Sequence, residues 1–414
     1  MNKSPLFPKI LLVVGGDPHG KDAGEIFLCD IVGSVPSDRL IRYSLVAAST
    51  VPSAHNQMWG RFESILDVHP AQTLRLFKVK LIRSFAQICL HLFQYISLIP
   101  VLAKRITRIA KEQGVDVIWI AMNSPQLIYL ADRLARNNSI SLVVNVWDPP
   151  ERFINDQKIP KFTKKIILGS FANVIKKSLA LGTASEGMKE EYQKKYDKDS
   201  VVLIHGIDEQ LHRSPRNKLG SSSQLVIGFS GNLYSSKEWL ALLHALNSVN
   251  WTIAEHKIIL RLLGSPPIID KVDSKMNIEY MGWRTIPEIV DILASCDIAY
   301  LPYWIDEKYD YVTRMCFPNK LSVYLAAGIP VFYHGSPDAS PSVFMKKYRI
   351  GVKCHSHAGN DIIDTLSKFI NDAGNYARLS EGIKQARQEE LNLKTFQSRF
   401  AHFIMHEDCE FIKR

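Results

Sequence analysis

The 414-residue sequence contains no CxxC pair and no spacing of cysteine, histidine and acid that would ring a metal ion, so a metal cofactor is not expected. Its six cysteines, at positions 29, 89, 296, 316, 354 and 409, are scattered, which suits a reducing, cytoplasmic compartment. The lysines are not accompanied by an aromatic ladder, an RNP-like run or a zinc spacing. Nucleic-acid binding therefore rests on the net charge of +10 alone and is set aside. The N-terminus lacks a signal-type apolar region. The run Ile10 to Val14, between Pro8 and Gly15-Gly16, is short and shaped as a first strand. No uninterrupted apolar stretch reaches membrane-spanning length. Phe85 to Ala103 carries no formal charge over nineteen residues, yet Gln87, His91, Gln94, Ser97 and Pro100 interrupt it. It reads as a core or interfacial helix.

The chain is too long for one ordinary core and fits two domains. The basic excess is concentrated in the first half. Arg75, Lys78, Lys80, Arg83, Lys104, Arg105, Arg108 and Lys111 are opposed only by Glu112, and a second cluster runs from Lys158 to Lys177. Basic residues at both ends of an uncharged helix suit peripheral contact with an anionic membrane. A basic helix pair packed into the N-terminal domain fits the same residues.

Strands are predicted at Lys9–Val14, Leu40–Ala48, Val115–Ala121 and Ser141–Val146, with helices over Ala23–Val32 and from Ser124-Pro125 to Ala135. Gly15 and Gly16 follow the first strand, where glycine lets a backbone approach a ligand closely. Gly15 to Asp22 nearly spells a P-loop, but Asp22 stands where Ser or Thr should meet magnesium, and no convincing Walker B partner follows. Asn123 and Asp148 close the third and fourth strands, where a parallel sheet presents side chains to ligands. Asp148 is a candidate contact for an acceptor hydroxyl, or a carboxylate that simply starts the turn before Pro149.

In the second half, Leu225–Ser230 reads as a strand feeding Gly231-Asn232, with Lys237 opening the next helix. Strands at Ile258–Leu263, Ile278–Met281 and Ile298–Leu301 and a helix near Ile286–Leu293 follow, with loops at Gly264 and at Trp283-Arg284. The stretch from Phe317 to Phe332 combines Pro318-Asn319-Lys320 with Leu321, Tyr324 and Leu325 at helical spacing, then Ala326-Ala327-Gly328 and a buried strand. A helix start with an ammonium in its first turn suits a phosphate-bearing ligand. Two late helices are predicted, Tyr376–Leu391 and Thr395–Ile412.

The wording of 317–332, the strand–Ser-Glu–helix run at 179–188, and His205-Gly206-Ile207-Asp208 together resemble group-1 (GT4-like) glycosyltransferases of the GT-B fold. This resemblance implies an α/β chain of two Rossmann-like, doubly wound parallel-sheet domains facing a cleft. The expected division is 1–213 for the acceptor side, 214–223 as linker, 224–391 for the nucleotide-sugar side, and 392–414 as a helix crossing back. It further implies a metal-independent hexosyltransferase that uses a UDP-, GDP- or ADP-sugar and retains anomeric configuration. The acceptor would be a polysaccharide, glycolipid or lipid-linked glycan, at the cytoplasmic membrane face. Lys237 takes a catalytic position by this resemblance, and Asp148 is the second catalytic candidate from its place at a strand end, where the family often carries a histidine that this chain lacks. Gly231, Asn232, Gly264, Trp283, Arg284, Pro318, Asn319, Lys320 and Leu321 line the donor, and Gly15, Gly16 and Asn123 the acceptor. The sequence departs from the family at Asn232, where an arginine is usual, and at Met315 and Val323, where glutamates are usual. A non-catalytic partner or scaffold of a transferase complex is the alternative.

Overall fold

A computed structural model describes residues 7–15, 23–45, 80–137, 140–220, 223–265, 277–372 and 374–405. Gly16, the rest of the P-loop-like run, Arg75, Lys78 and residues 46–48 of the second predicted strand lie outside them. The chain forms two compact units, residues 1–203 with 397–414, and residues 204–396.

The first unit is built on a six-stranded parallel sheet in the order β2-β1-β3-β4-β5-β6. Its strands are β1 (Ile10–Val14), β2 (Leu40–Ser44), β3 (Val117–Ala121), β4 (Ser141–Val146), β5 (Ala180–Thr183) and β6 (Val201–Val202). β1 and β3 are apolar and buried at every position, as strands covered on both faces must be. The uncharged stretch is one continuous helical run, with α-helices Lys80–Phe93 and Ile99–Glu112 joined by a π turn at Gln94–Leu98. Pro100 gives up a donor and crowds the carbonyl four residues back, and the wider π turn accommodates its ring.

The second unit carries the sheet β10-β9-β7-β11-β12-β13, with β8 added antiparallel to β9. The strands are β7 (Gln224–Ser230), β8 (Thr252–Ile253), β9 (His256–Leu263), β10 (Ile278–Gly282), β11 (Ile298–Pro302), β12 (Val331–His334) and β13 (Gly351–Cys354). Trp239, Trp251, Tyr300 and Phe332 sit in its buried core. In each sheet the chain leaves its first strand to one side and returns on the other, at β1/β3 and at β7/β11. At such a switch point the following loops diverge and leave a crevice at the carboxyl ends of the strands.

The unit boundary falls at 203/204, ahead of the expected 213. Residues 204–213 are tied into the second unit. Ser322 Oγ donates to His205 O at 2.7 Å, Ile207 bridges to Asn392, and Arg213 Nε donates to Asp291 at 2.7 Å. The polar stretch read as a linker is also held, since Gly220 N donates to Asp297 at 3.0 Å and Arg216 Nη2 to Ala294 O at 2.7 Å. Composition marked it as loop; backbone donors and acceptors found partners that composition does not show. The last described helix, Leu393–Ile404, places Phe400 4.8 Å from Trp119, and Gln397 Nε2 donates to Asp30 O at 3.2 Å.

Candidate functional site

The second sheet's switch point gathers the most distinctive chemistry. β7 ends at Ser230, and Gly231 turns the chain with φ +87°. Tyr324, on the helix Lys320–Ala326, accepts from Ser230 N at 3.2 Å and donates to Tyr300 O at 3.1 Å. One phenol therefore links the end of β7 to β11 and holds the helix against the crevice. Lys320 begins that helix, and its ammonium donates to Asn232 O at 2.5 Å. The same nitrogen lies 4.5 Å from the Tyr234 ring centre and 5.2 Å from that of Phe229. Desolvation by these neighbours lowers the Lys320 pKa to about 7.

Two glycines make this approach feasible. A Cβ at Gly231 would stand 3.2 Å from Lys320 Cε, and one at Gly264, where φ is +102°, would stand 2.9 Å from the Gly231 backbone. Asn232 accepts from Ser265 Oγ at 2.7 Å and so braces the two loops.

Across the switch point, β11 leads into Tyr303 and Trp304. Tyr234 packs 4.9 Å from Trp304 and 5.9 Å from Tyr303, and Trp304 stacks on Tyr309 at 4.8 Å. Buried Glu238 fastens the loop after Trp304 by accepting from Ile305 N at 2.9 Å, and its same oxygen lies 3.0 Å from His357 Nε2. Lys237 Nζ meets Asp306 at 2.7 Å, which raises the lysine pKa and lowers that of the acid, chiefly through their mutual hydrogen bond. None of Tyr234, Tyr303, Trp304, Asp306 or Glu238 was singled out by sequence reasoning. The carboxyl-end rule applied to β11 would have pointed to Tyr303 and Trp304.

Other expected donor residues are placed less centrally. Pro318 and Leu321 are buried, and Leu321 N already donates to Pro318 O at 3.0 Å, which leaves that amide unavailable to a ligand. The helix has seven residues, so the dipole contribution expected from its start is small beside the charge of Lys320. Trp283, 61% exposed, and Arg284, which donates to Trp283 O at 2.8 Å, follow edge strand β10. Lys237 borders a hollow of about 450 Å³ with Leu240, Ala241, His244 and Gly359, a lining that does not include Lys320 or Tyr234. That hollow opens beside the helix Ser236–Ser248 and is not the crevice of the switch point. Met315 is buried and Val323 is partly buried.

In the first unit, Gly15 and Asn123 meet at the β1/β3 switch point, where a Cβ on Gly15 would stand 3.2 Å from Asn123 Oδ1. Asp148 accepts from Arg152 Nη1 at 2.5 Å, an i,i+4 pair closing the first turn of the helix Pro150–Asp156. The residue that caps this helix is Pro149, with no side-chain capping bond.

No protein-family model and no curated protein sequence matches the chain. Among solved structures it is similar to Anabaena Alr3699/HepE in complex with UDP and glucose, with 13% identity over 96% of this chain and 100% of that one and a TM-score of 0.64. It is also similar to sucrose-phosphate synthase from Thermosynechococcus elongatus, with 9% identity over 95% and 98% of the two chains and a TM-score of 0.64. WaaG, a glycosyltransferase involved in lipopolysaccharide biosynthesis, gives 12% identity over 96% and 100% and a TM-score of 0.59. Likeness over both units shows that the chain has the GT-B fold.

Proposed function

We propose that this protein is a glycosyltransferase whose nucleoside-diphosphate sugar sits at the β7/β11 switch point. The observation that carries the reading is Lys320, a partly desolvated ammonium at a glycine-turned loop and over the rings of Tyr234 and Phe229. Transfer breaks the bond between the sugar C1 and the diphosphate oxygen and forms one from C1 to the oxygen of an acceptor hydroxyl, whose proton passes to the departing diphosphate. Negative charge then grows on the departing diphosphate. Lys320 is placed to meet that charge, and Tyr234 and Trp304 exclude water that would weaken the interaction. Lys237 supplies a second cation once the diphosphate competes with Asp306 for it.

Trp283 and Arg284 offer a stacking face and a donor for the base. Val323 cannot accept from a ribose hydroxyl. Asn319, four residues earlier and on the same side of the helix start, is the polar group assigned that contact. Gly15 and Asn123 mark the acceptor side, and Asp148 keeps its Arg152 partner. HepE is known in complex with UDP-glucose, which makes that donor the first to try, ahead of GDP- and ADP-sugars. A glycan or lipid-linked glycan acceptor, metal-independent transfer and a place at the cytoplasmic face of the membrane complete the reading.

Titration calorimetry with UDP-glucose and its GDP and ADP counterparts tests it. One of them should bind, and Lys320→Ala should weaken binding at least about tenfold. Absence of heat with every donor would sink the proposal. Binding without transfer to any acceptor would favour a non-catalytic partner subunit, the reading to which Met315 and Val323 point.

A further inference from the structure

We infer that the outward face of the helical run from residue 80 to 112 docks on an anionic lipid bilayer, lying in its surface and not crossing it. The inference deepens the membrane location proposed above by naming the face that makes the contact, and it does not depend on the sugar-transfer chemistry.

The first half of this run has its polarity inverted. Ile82, Phe85, Phe93 and Ile96 are 50%, 68%, 62% and 66% exposed, whereas Gln87, His91 and Gln94 are turned inward and buried. The inward residues have partners. Gln87 Nε2 donates to Gln157 O at 3.3 Å, His91 Nδ1 lies 3.5 Å from the Tyr129 hydroxyl, and Gln126 Nε2 donates to Gln94 Oε1 at 3.3 Å. A helix whose apolar side served only the core would point its phenylalanines inward. Here the inner face carries polar side chains, each with at least one polar contact, and the apolar face is left for another phase.

After the π turn the order reverts. Leu102, Ile106 and Ile109 are buried, and Lys104, Arg105, Arg108 and Lys111 face outward. One outward face thus runs from phenylalanine and isoleucine, through Val101, into lysine and arginine. Beside it, on the neighbouring helix Lys161–Lys177, Phe162 is 56% exposed between Lys161 and Lys165. The acid within this run, Glu112, lies 3.8 Å from Arg108. Apolar side chains flanked by a run in which cations outnumber acids match the boundary between acyl chains and anionic headgroups.

By length and composition Ile82–Glu112 is able to cross a bilayer. Its inward face is instead packed against Tyr129 and Gln157 of the same unit, and the cations of its second half lie on the outward side. Those features favour a surface position.

The test is flotation of the full chain with vesicles of phosphatidylglycerol and phosphatidylcholine, against phosphatidylcholine alone, in low and high salt. The protein should float with the anionic vesicles, at least about tenfold better than with neutral ones, and high salt should reduce but not abolish this. Phe85→Ser/Phe93→Ser/Ile96→Ser should lower flotation at least about tenfold, and Lys104→Gln/Lys111→Gln should lower it most in low salt. All five side chains are exposed, so melting temperature should hold in both variants. Any donor-induced thermal shift should also be unchanged, which separates this face from the sugar site. Recovery of the unsubstituted protein wholly in the soluble fraction would overturn the inference. So would equal flotation of the serine variant, or a dimer that the serine substitutions dissociate without any vesicle binding, since the face would then join two copies.

Discussion

Lys320, the residue proposed to meet the donor, carries a cost to the resting fold. Desolvation lowers its pKa from 10.5 to about 7, so between those values the unfolded chain holds a proton that the folded chain lacks. Stability of the ligand-free protein should therefore rise with pH across that window and fall as pH drops back toward 7. Lys320→Met should raise the melting temperature at pH 7 while removing donor binding; a lower melting temperature would show that the ammonium is a structural support. A bound diphosphate reverses the preference. At pH 8 donor binding should take up protons, read by calorimetry as a heat that changes between phosphate and Tris buffers, and an equal heat would show that Lys320 does not meet the phosphates. Lys237 differs, because it is exposed and paired with Asp306. Lys237→Ala should cut turnover about 100-fold, as loss of a transition-state contact does, and unchanged kinetics would remove it from the site.

At the scale of elements, the seven-residue helix Lys320–Ala326 is too short to be stable alone and is held from both ends. Tyr324 ties it to β7 and β11. Arg387, buried on the helix Asn375–Glu389, donates to Leu325 O at 2.5 Å, Ala326 O at 2.9 Å and Arg213 O at 2.8 Å. Leu325 O and Ala326 O are last-turn carbonyls of that helix, where Gly328 N and Arg213 N also donate to them, and Arg213 O lies on the segment beside it. Arg387→Met should cost about 1–3 kcal/mol in denaturant unfolding, because three charge-assisted hydrogen bonds to carbonyls are lost while Gly328 N and Arg213 N still serve two of them, and a loss below about 0.5 kcal/mol would mean that water replaces the guanidinium. The paired glycines act at the same scale. Gly264→Ala would place a methyl against the Gly231 backbone at a strained φ, and should cost about 1–3 kcal/mol and weaken donor binding together.

Over the whole molecule, a donor that binds only the folded protein should add about 2.7 kcal/mol at one hundred times its Kd, a shift that a thermal melt detects. Much of the fold was legible beforehand. Unbroken Val, Ile and Leu runs such as Ile10–Val14 and Ile298–Leu301 permit little besides buried parallel strands, and proline and glycine bracket the Lys320 helix wherever the chain folds. Sequence by itself also settled the excess of cations in the first half and the apolar residues Met315 and Val323 at the positions where the resembled family carries glutamates. Tertiary structure decided what pattern cannot encode. It chose which side of residues 82–101 faces out, because both sides carry apolar residues and only the buried partners of Gln87, His91 and Gln94 break the tie. It moved the unit boundary to 203/204 by pairing backbone that composition marks as loop. It brought Tyr234, Trp304 and Lys320, far apart in the chain, to one crevice, since proximity across a sheet's switch point depends on strand order and not on sequence distance.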